Sequence, residues 1–404
     1  VTTDIDLWSL DVYDNGIPHD VFAYLRNEAP VYRHPDPLVP EGHWAVTRLA
    51  DVVTISRNSD IFSSHERTSM IDEMPEEQIA QQQMMMLNMD PPEHTRLRSL
   101  VNRGFTPRMV AKLRKQMEDT CDRIIDEALA KGEIDVVTDL AADLPLVVIA
   151  DLMGVPQEDR HKLFEWSNAM VGAEDPDLGL GPEAGAEVAF QVYAYAHELG
   201  AEKRAKPADD IVTKFVTPDE NGHELSELEF DMFFLMLTVA GNETTRNAIS
   251  GGVQAFIDHP DQWERLRRDP ELVTSAADEI VRWVTPVMDF RRQVMKDVEL
   301  GGVQMRKGDK VIMYYASANR DEAAFEDPFT FDITRDPNPH VGFGGGGAHF
   351  CLGRHLALQE IQVMFEKLAR RVERFEPLGD PRRMRSHFLN GLKGLPVRLI
   401  PAES

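Results

Sequence analysis

The stretch HVGFGGGGAHFCLGRHLALQE, His340 to Glu360, decides how this chain is read. Four consecutive glycines, Gly344 to Gly347, lead to Cys351, one of only two cysteines, and apolar residues then recur every three or four positions. A thiolate at the start of a helix is stabilised by unpaired backbone N–H groups and by the helix dipole, so Cys351 is placed to be anionic and to bind a metal. Glycines ahead of it remove every Cβ, which would let the backbone lie close against a flat surface and aim amides at the sulfur.

A zinc site would need about four N or S ligands at paired spacing, and His349 and Cys351 are not accompanied by a CxxC or HxxxH pair. A phosphate loop would end in Gly-Lys-Ser/Thr after an apolar strand, and neither is present. The stretch alone leaves two readings: purely structural glycines, or a haem-like planar cofactor ligated by Cys351. If the cofactor is a haem, its two propionates must be neutralised on burial by cationic or donor side chains from several elements.

Around this stretch the pattern is helical. Apolar residues fall three or four apart over 109–129, 142–153, 159–170, 187–204, 227–257, 261–269, 275–283 and 352–372, with short strand-like alternation near 43–46, 298–305, 310–314 and 396–399. Possible breaks at 174–183 and 206–209 show no shift in composition, so one large mainly α domain with a minor β portion, spanning 1–404, is expected. The net charge of -26 argues against nonspecific nucleic-acid or anionic-lipid binding. The first residues carry no basic or apolar leader and the apolar run near 230–241 is too short to span a bilayer, so a cytoplasmic protein without a membrane anchor is expected. Cys121 lies in a helical pattern and reads as core packing.

A capping-box-like Ser226-Glu-Leu-Glu opens the 227–257 pattern, in which Ala240-Gly-Asn-Glu-Thr244 interrupts good helix formers. The Thr244 hydroxyl can bond the carbonyl of Ala240, four residues back, and loosen the ladder into a bulge able to hold dioxygen. The bland alternative is an ordinary kink. Glu279 and Arg282 are three apart on a helix, close enough to pair.

Taken together, Phe343, Gly347, His349, Cys351 and Gly353 resemble the haem-binding signature of the cytochrome P450 family, the haem-thiolate monooxygenases. Phe343 stands eight residues before Cys351, one more than the usual spacing, and a similar longer loop is found in bacterial members that oxidise steroid side chains and methyl-branched lipids. The resemblance extends over nearly all of the chain. It implies the cytochrome P450 fold, haem b (iron protoporphyrin IX) and a cofactor pocket of His94, Arg98, Ala240, Gly241, Arg292, Phe343, His349, Cys351 and Gly353, with Cys351 on the iron. It further implies that Thr244 hydrogen-bonds dioxygen, that Glu243 relays protons so the distal oxygen leaves as water, and that Glu279, Arg282 and Arg335 form a structural lock.

The 94–116 segment carries Arg96, Arg98, Arg103, Arg108, Lys112, Arg114 and Lys115 without an acidic residue, a patch on which an acidic ferredoxin could dock. A chain of 404 residues has no room for a flavin reductase beside such a domain, so ferredoxin and ferredoxin reductase are the implied partners. Gly104-Phe-Thr-Pro-Arg and Asn338-Pro-His-Val-Gly-Phe are similar to actinobacterial enzymes acting on the cholesterol side chain or branched lipids. Apolar Met86, Leu87, Leu237, Val287, Met288 and Phe290 are the expected substrate pocket. The expected activity is hydroxylation of a steroid (cholesterol-type) side chain, with methyl-branched fatty acids or terpenoids as the alternative substrate. A haem sensor or carrier without turnover is the rival class, disfavoured because a passive binder has no use for Thr244 and Glu243.

Overall fold

The computed structural model describes residues 5–171, 181–208, 210–219 and 221–403. Within them the chain is mainly helical, with a small sheet portion. The longest helix beside the site, Pro107–Lys131, begins where Thr106 accepts a hydrogen bond from the Met109 amide and Pro107 fills a position that needs no donor. It ends at Gly132, whose φ of +75° stops the helix. The capping box at Ser226 is present: its hydroxyl accepts from the Glu229 amide and the Glu229 carboxylate reaches back to the Ser226 amide.

The sequence pattern suggests one helix over 227–257. The structure instead shows two, Glu227–Ala240 and Glu243–Asp258, broken at Gly241 and Asn242. A Cβ on Gly241 would lie 2.3 Å from Ile149 Cδ1, so at the break a side chain of the neighbouring helix, Asp143–Leu152, occupies the space a Cβ would need. Of the two expected breaks, 174–183 lies largely outside the described residues, and the other separates Gly181–Ala205 from Ile211–Val216, where Asp210 caps the new helix through Thr213 N.

The largest sheet orders Val31–His34, His43–Val46, Lys310–Tyr314, Asp289–Val294 and Phe62–Ser63 side by side. The expected 298–305 alternation is a hairpin, Val298–Leu300 with Val303–Met305, turning at Gly301 and Gly302, both at positive φ. Asp289–Val294 was not legible as a strand because its pattern is charged; Arg291 and Arg292 are both buried in it. The main core joins the helices through residues such as Met117, Ile249, Phe256 and Phe365, and Cys121 sits inside it, where burial pushes its thiol up. Among the described residues no helix is long and apolar enough to cross a membrane.

Candidate functional site

The loop before Cys351 is fixed by its own backbone. Gly344 N–H donates to Val341 O at 2.8 Å, and Cys351 N–H returns to Phe343 O at 2.9 Å. Gly344, Gly346 and Gly347 have φ of +97°, +90° and +73°, which side chains with a Cβ avoid. Three of the glycines have a packing role that the sequence did not suggest. Gly345, Gly346 and Gly347 press on the C-terminal turn of the Leu49–Arg57 helix: a Cβ on Gly345 would stand 2.6 Å from Ser56 Oγ, and one on Gly347 2.2 Å from Ser56 O.

The amides that favour a charged sulfur come from after the cysteine, from Gly353 and Arg354, at the start of the Arg354–Arg371 helix. Burial pushes the Cys351 thiol up, opposed by these two amides and by the charges of Arg98 and Arg354. The residue keeps accessible surface on one side while protein surrounds its sulfur on the other, the disposition of a ligand on the wall of a recess. A Cβ on Gly353 would meet no atom within 4 Å, so space remains beside the thiol. Phe343 is held by Arg354, whose guanidinium lies 5.7 Å from the ring centroid and pairs with Asp278 at 3.2 Å.

Next to this loop the structure gathers the four expected donor residues. The His94 and His349 rings are 4.3 Å apart, and Arg98 Nη1 donates to Ala348 O at 3.2 Å. Burial, then Arg98, lowers the His94 pKa to about 4, and burial, then Arg292 and His94, holds His349 well below the ordinary imidazole range. Both rings are therefore neutral donors, and His349 Nε2 is buried without a partner. Arg292 is 5% exposed, donates to Arg291 O at 2.6 Å, and pairs with no carboxylate among the described residues. A buried guanidinium without an anion is costly. This cluster beside an accessible thiol fits a planar iron cofactor with carboxylate arms.

On the broken helix, Thr244 Oγ1 donates to Ala240 O at 2.8 Å, as the sequence suggests. Ala240 is exposed and Thr244 partly so, whereas Leu237 and Thr238 on the preceding turn are buried. Glu243 is 1% exposed and ion-paired with Arg246; burial pushes its carboxyl up against the pull of that guanidinium. Arg246 Nη1 also donates to Asn168 Oδ1 at 2.9 Å, and Asn242 Nδ2 donates to Ser167 Oγ at 3.0 Å. The Arg160–Val171 helix thus clamps the break. Sequence reasoning did not anticipate Arg246, Asn168 or Ser167; the i, i+3 spacing of Glu243 and Arg246 was the available signal.

The expected pocket residues divide. Met86 and Leu237 are buried in the main core, with Met86 beside a small cavity shared with Leu97, Val101 and Phe233. Leu87 and Val287 are half-buried, and the half-buried Phe290 ring stands 5.5 Å from Phe388. Met288 does not join them. It is buried in a separate core that includes Leu7, Phe22 and Tyr314, so it is a correction to the expected pocket.

The Glu279 lock is present and fully buried. Arg282 makes two bonds of 2.7 Å to the carboxylate, Arg335 approaches at 3.3 Å, and the Asp332 amide donates at 2.9 Å. Arg282 also donates to the carbonyls of Asn319, Pro328 and Thr330. The basic 94–116 run is largely neutralised within the chain: Arg96 pairs with Glu93 and Glu229, Arg103 with Asp219, Arg114 with Glu118 and Glu366, and Lys115 with Asp119.

Comparison with known proteins gives a consistent outcome. The family model for Cytochrome P450 matches residues 194–395. The chain is 49% identical over 400 residues to a steroid C26-monooxygenase of Rhodococcus jostii strain RHA1, covering 97% of this chain and 84% of that protein. It is 43% identical over 405 residues to a methyl-branched lipid omega-hydroxylase of Mycobacterium tuberculosis strain H37Rv, covering 98% and 94% respectively. Its fold is similar to that of the Mycobacterium marinum cytochrome P450 CYP268A2 in complex with pseudoionone, with a TM-score of 0.91, 38% identity, and coverage of 97% of this chain and 98% of that one.

Proposed function

This chain belongs to the cytochrome P450 family and is a haem-thiolate monooxygenase, and from that premise we propose that it hydroxylates the terminal region of a steroid side chain of the cholesterol type. The carrying observation is the 49% identity over 97% of the chain with a steroid C26-monooxygenase. Methyl-branched lipids are the second reading, supported by the 43% identity with the omega-hydroxylase.

The cofactor in this reading is haem b. Cys351 would hold its iron, with Gly353 and Arg354 amides steadying the sulfur, and His94, Arg98, Arg292 and His349 would take its carboxylates. Bound haem supplies the iron at which dioxygen is activated, and thiolate ligation favours O–O cleavage. Thr244 carries its hydroxyl proton toward Ala240 O and, by turning about χ1, offers it to dioxygen. Glu243 takes up and passes on a proton only when its contact with Arg246 lengthens, so the clamp from Arg160–Val171 gates that acid. Electrons would arrive from a ferredoxin served by a ferredoxin reductase. Its docking face would use the exposed Arg108, since most of the neighbouring cations are already paired.

The test is spectral titration of the ferric protein with cholest-4-en-3-one and with a methyl-branched fatty acid, followed by mass spectrometry of reconstituted turnovers. A low-to-high-spin shift and a side-chain alcohol from the steroid are expected; turnover of the fatty acid alone would replace the first reading by the second. Thr244→Ala is expected to keep consuming reducing equivalents while yielding less product, and unchanged coupling would remove Thr244 from the proton path.

A further inference from the structure

A group of arginines surrounds the end of the Val273–Val284 helix, and one of them lacks an anion. Arg282 and Arg335 share Glu279, and Arg26 pairs with Glu322 at 2.8 Å. Arg320 is 3% exposed, makes no ion pair among the described residues, and donates to the carbonyls of Arg282 at 3.0 Å and Trp283 at 2.8 Å. It lines a cavity of about 220 Å³ between residues 15–19, the last turns of Glu243–Asp258, and residues 390–392.

The polar groups facing this cavity are unusually idle. Asn247 is 1% exposed, yet neither its Oδ1 nor its Nδ2 has a partner. Gln254 donates its amide N–H to Asp258 Oδ1 at 2.8 Å, which fixes the amide orientation and leaves the buried Oε1 unpartnered. Nδ1 of His19 is also buried and unpartnered, and burial among the arginines lowers that imidazole to about 3, keeping it neutral. Arg383 also lines the cavity, makes no ion pair among the described residues, and feels the charge of Asp258. Two guanidinium groups against one carboxylate leave one excess positive charge. Water can satisfy amide and imidazole groups, but it does not neutralise a buried cation.

We propose that this cavity binds a small organic monoanion carrying a hydroxyl group, a hydroxycarboxylate, with its carboxylate between Arg320 and Arg383 and its hydroxyl donating to Gln254 Oε1. One excess charge selects a monoanion over a phosphate dianion, and a fixed lone acceptor selects a ligand that brings a donor. The site is independent of the proposed oxygenase substrate.

The experiment is ligand-observed NMR titration of the full-length haem-loaded protein with L-lactate, acetate and inorganic phosphate, in wild type, Arg383→Met and Gln254→Glu. Lactate is expected to bind about tenfold tighter than acetate, the value of one hydrogen bond to an otherwise unpaired group. Arg383→Met and Gln254→Glu are each expected to weaken lactate about tenfold with the haem spectrum unchanged. Equal affinity for lactate and acetate, tighter binding of phosphate, binding that survives both variants, or no saturation of wild type by any of the three would each overturn the assignment.

Discussion

Arg246→Met isolates what holds Glu243. The carboxylate is buried and loses the one cation paired with it among the described residues, so either it stays charged without compensation or it takes up a proton. Protonation caps the cost. Each pH unit between the solution and the ordinary glutamate value of 4.5 is worth about 1.36 kcal/mol, giving a ceiling of about 4 kcal/mol at pH 7.5 and about 1.4 kcal/mol at pH 5.5. Losing the bond from Arg246 to Asn168 adds about 1 kcal/mol that does not depend on pH. The sign follows from the raised folded-state value: the penalty is full above the folded pKa and fades as pH falls toward the unfolded one. Because burial already raises Glu243 in the wild type, the measured deficits fall below these ceilings. Equilibrium urea unfolding followed by circular dichroism should therefore show a deficit that shrinks by up to about 2.7 kcal/mol between pH 7.5 and 5.5. In Glu243→Gln/Arg246→Met that pH dependence should vanish. A deficit equal at the two pH values to within about 0.5 kcal/mol would refute the reasoning, since the buried charge would then not be the source.

Glu279→Gln leaves Arg282 and Arg335 without their shared buried carboxylate, and a loss of about 3–5 kcal/mol with a reduced haem-to-protein ratio is expected; a denaturation shift under about 1 kcal/mol would contradict the lock. Gly347→Ala forces a Cβ against Ser56 O at a positive φ. It should displace the thiolate and weaken the red-shifted Soret band of the reduced carbonyl adduct, and an unchanged band would count against the loop geometry. Arg292→Met should act with opposite signs on two measurements: haem transfers out faster to an acceptor protein, while the haem-free form is as stable as wild type or more so. A destabilised haem-free form would mean that Arg292 has a structural partner instead.

Features whose physics is local in sequence were legible. The thiol ahead of a helix, the Thr244 bond to Ala240 four residues back, and the i, i+3 pairing of Glu279 with Arg282 all follow from short spacings, and each is present. Features set by distant chain were not. The packing of Gly345 to Gly347 on the Leu49–Arg57 helix has no signal in the loop itself, because that helix lies nearly 300 residues earlier. The 94–116 run reads as a free cationic patch because its counter-charges lie outside it: Glu93, Glu118 and Asp119 flank the run, and Asp219, Glu229 and Glu366 come from distant chain. Met288 carries the right chemistry for a pocket, but it is buried in a core built with Leu7 and Phe22, which come from the distant N-terminal part of the chain.

The two halves of the site are stabilised by different physics, and this bears on how they respond to change. The thiol loop is set by steric exclusion: positive φ values and backbone contacts that tolerate no Cβ, with no titrating group in the glycine turn itself. The broken helix is set by charge and hydrogen bonding among Asn242, Glu243, Arg246, Ser167 and Asn168, where the carboxyl is buried and shifted. Under the proposed function, proton supply through Glu243 can therefore vary with pH while the loop keeps its geometry, because the contacts that fix the loop are backbone and steric ones. An enzyme that must hold a metal ligand still and let a separate acid exchange protons benefits from that division between backbone stereochemistry and a polar clamp.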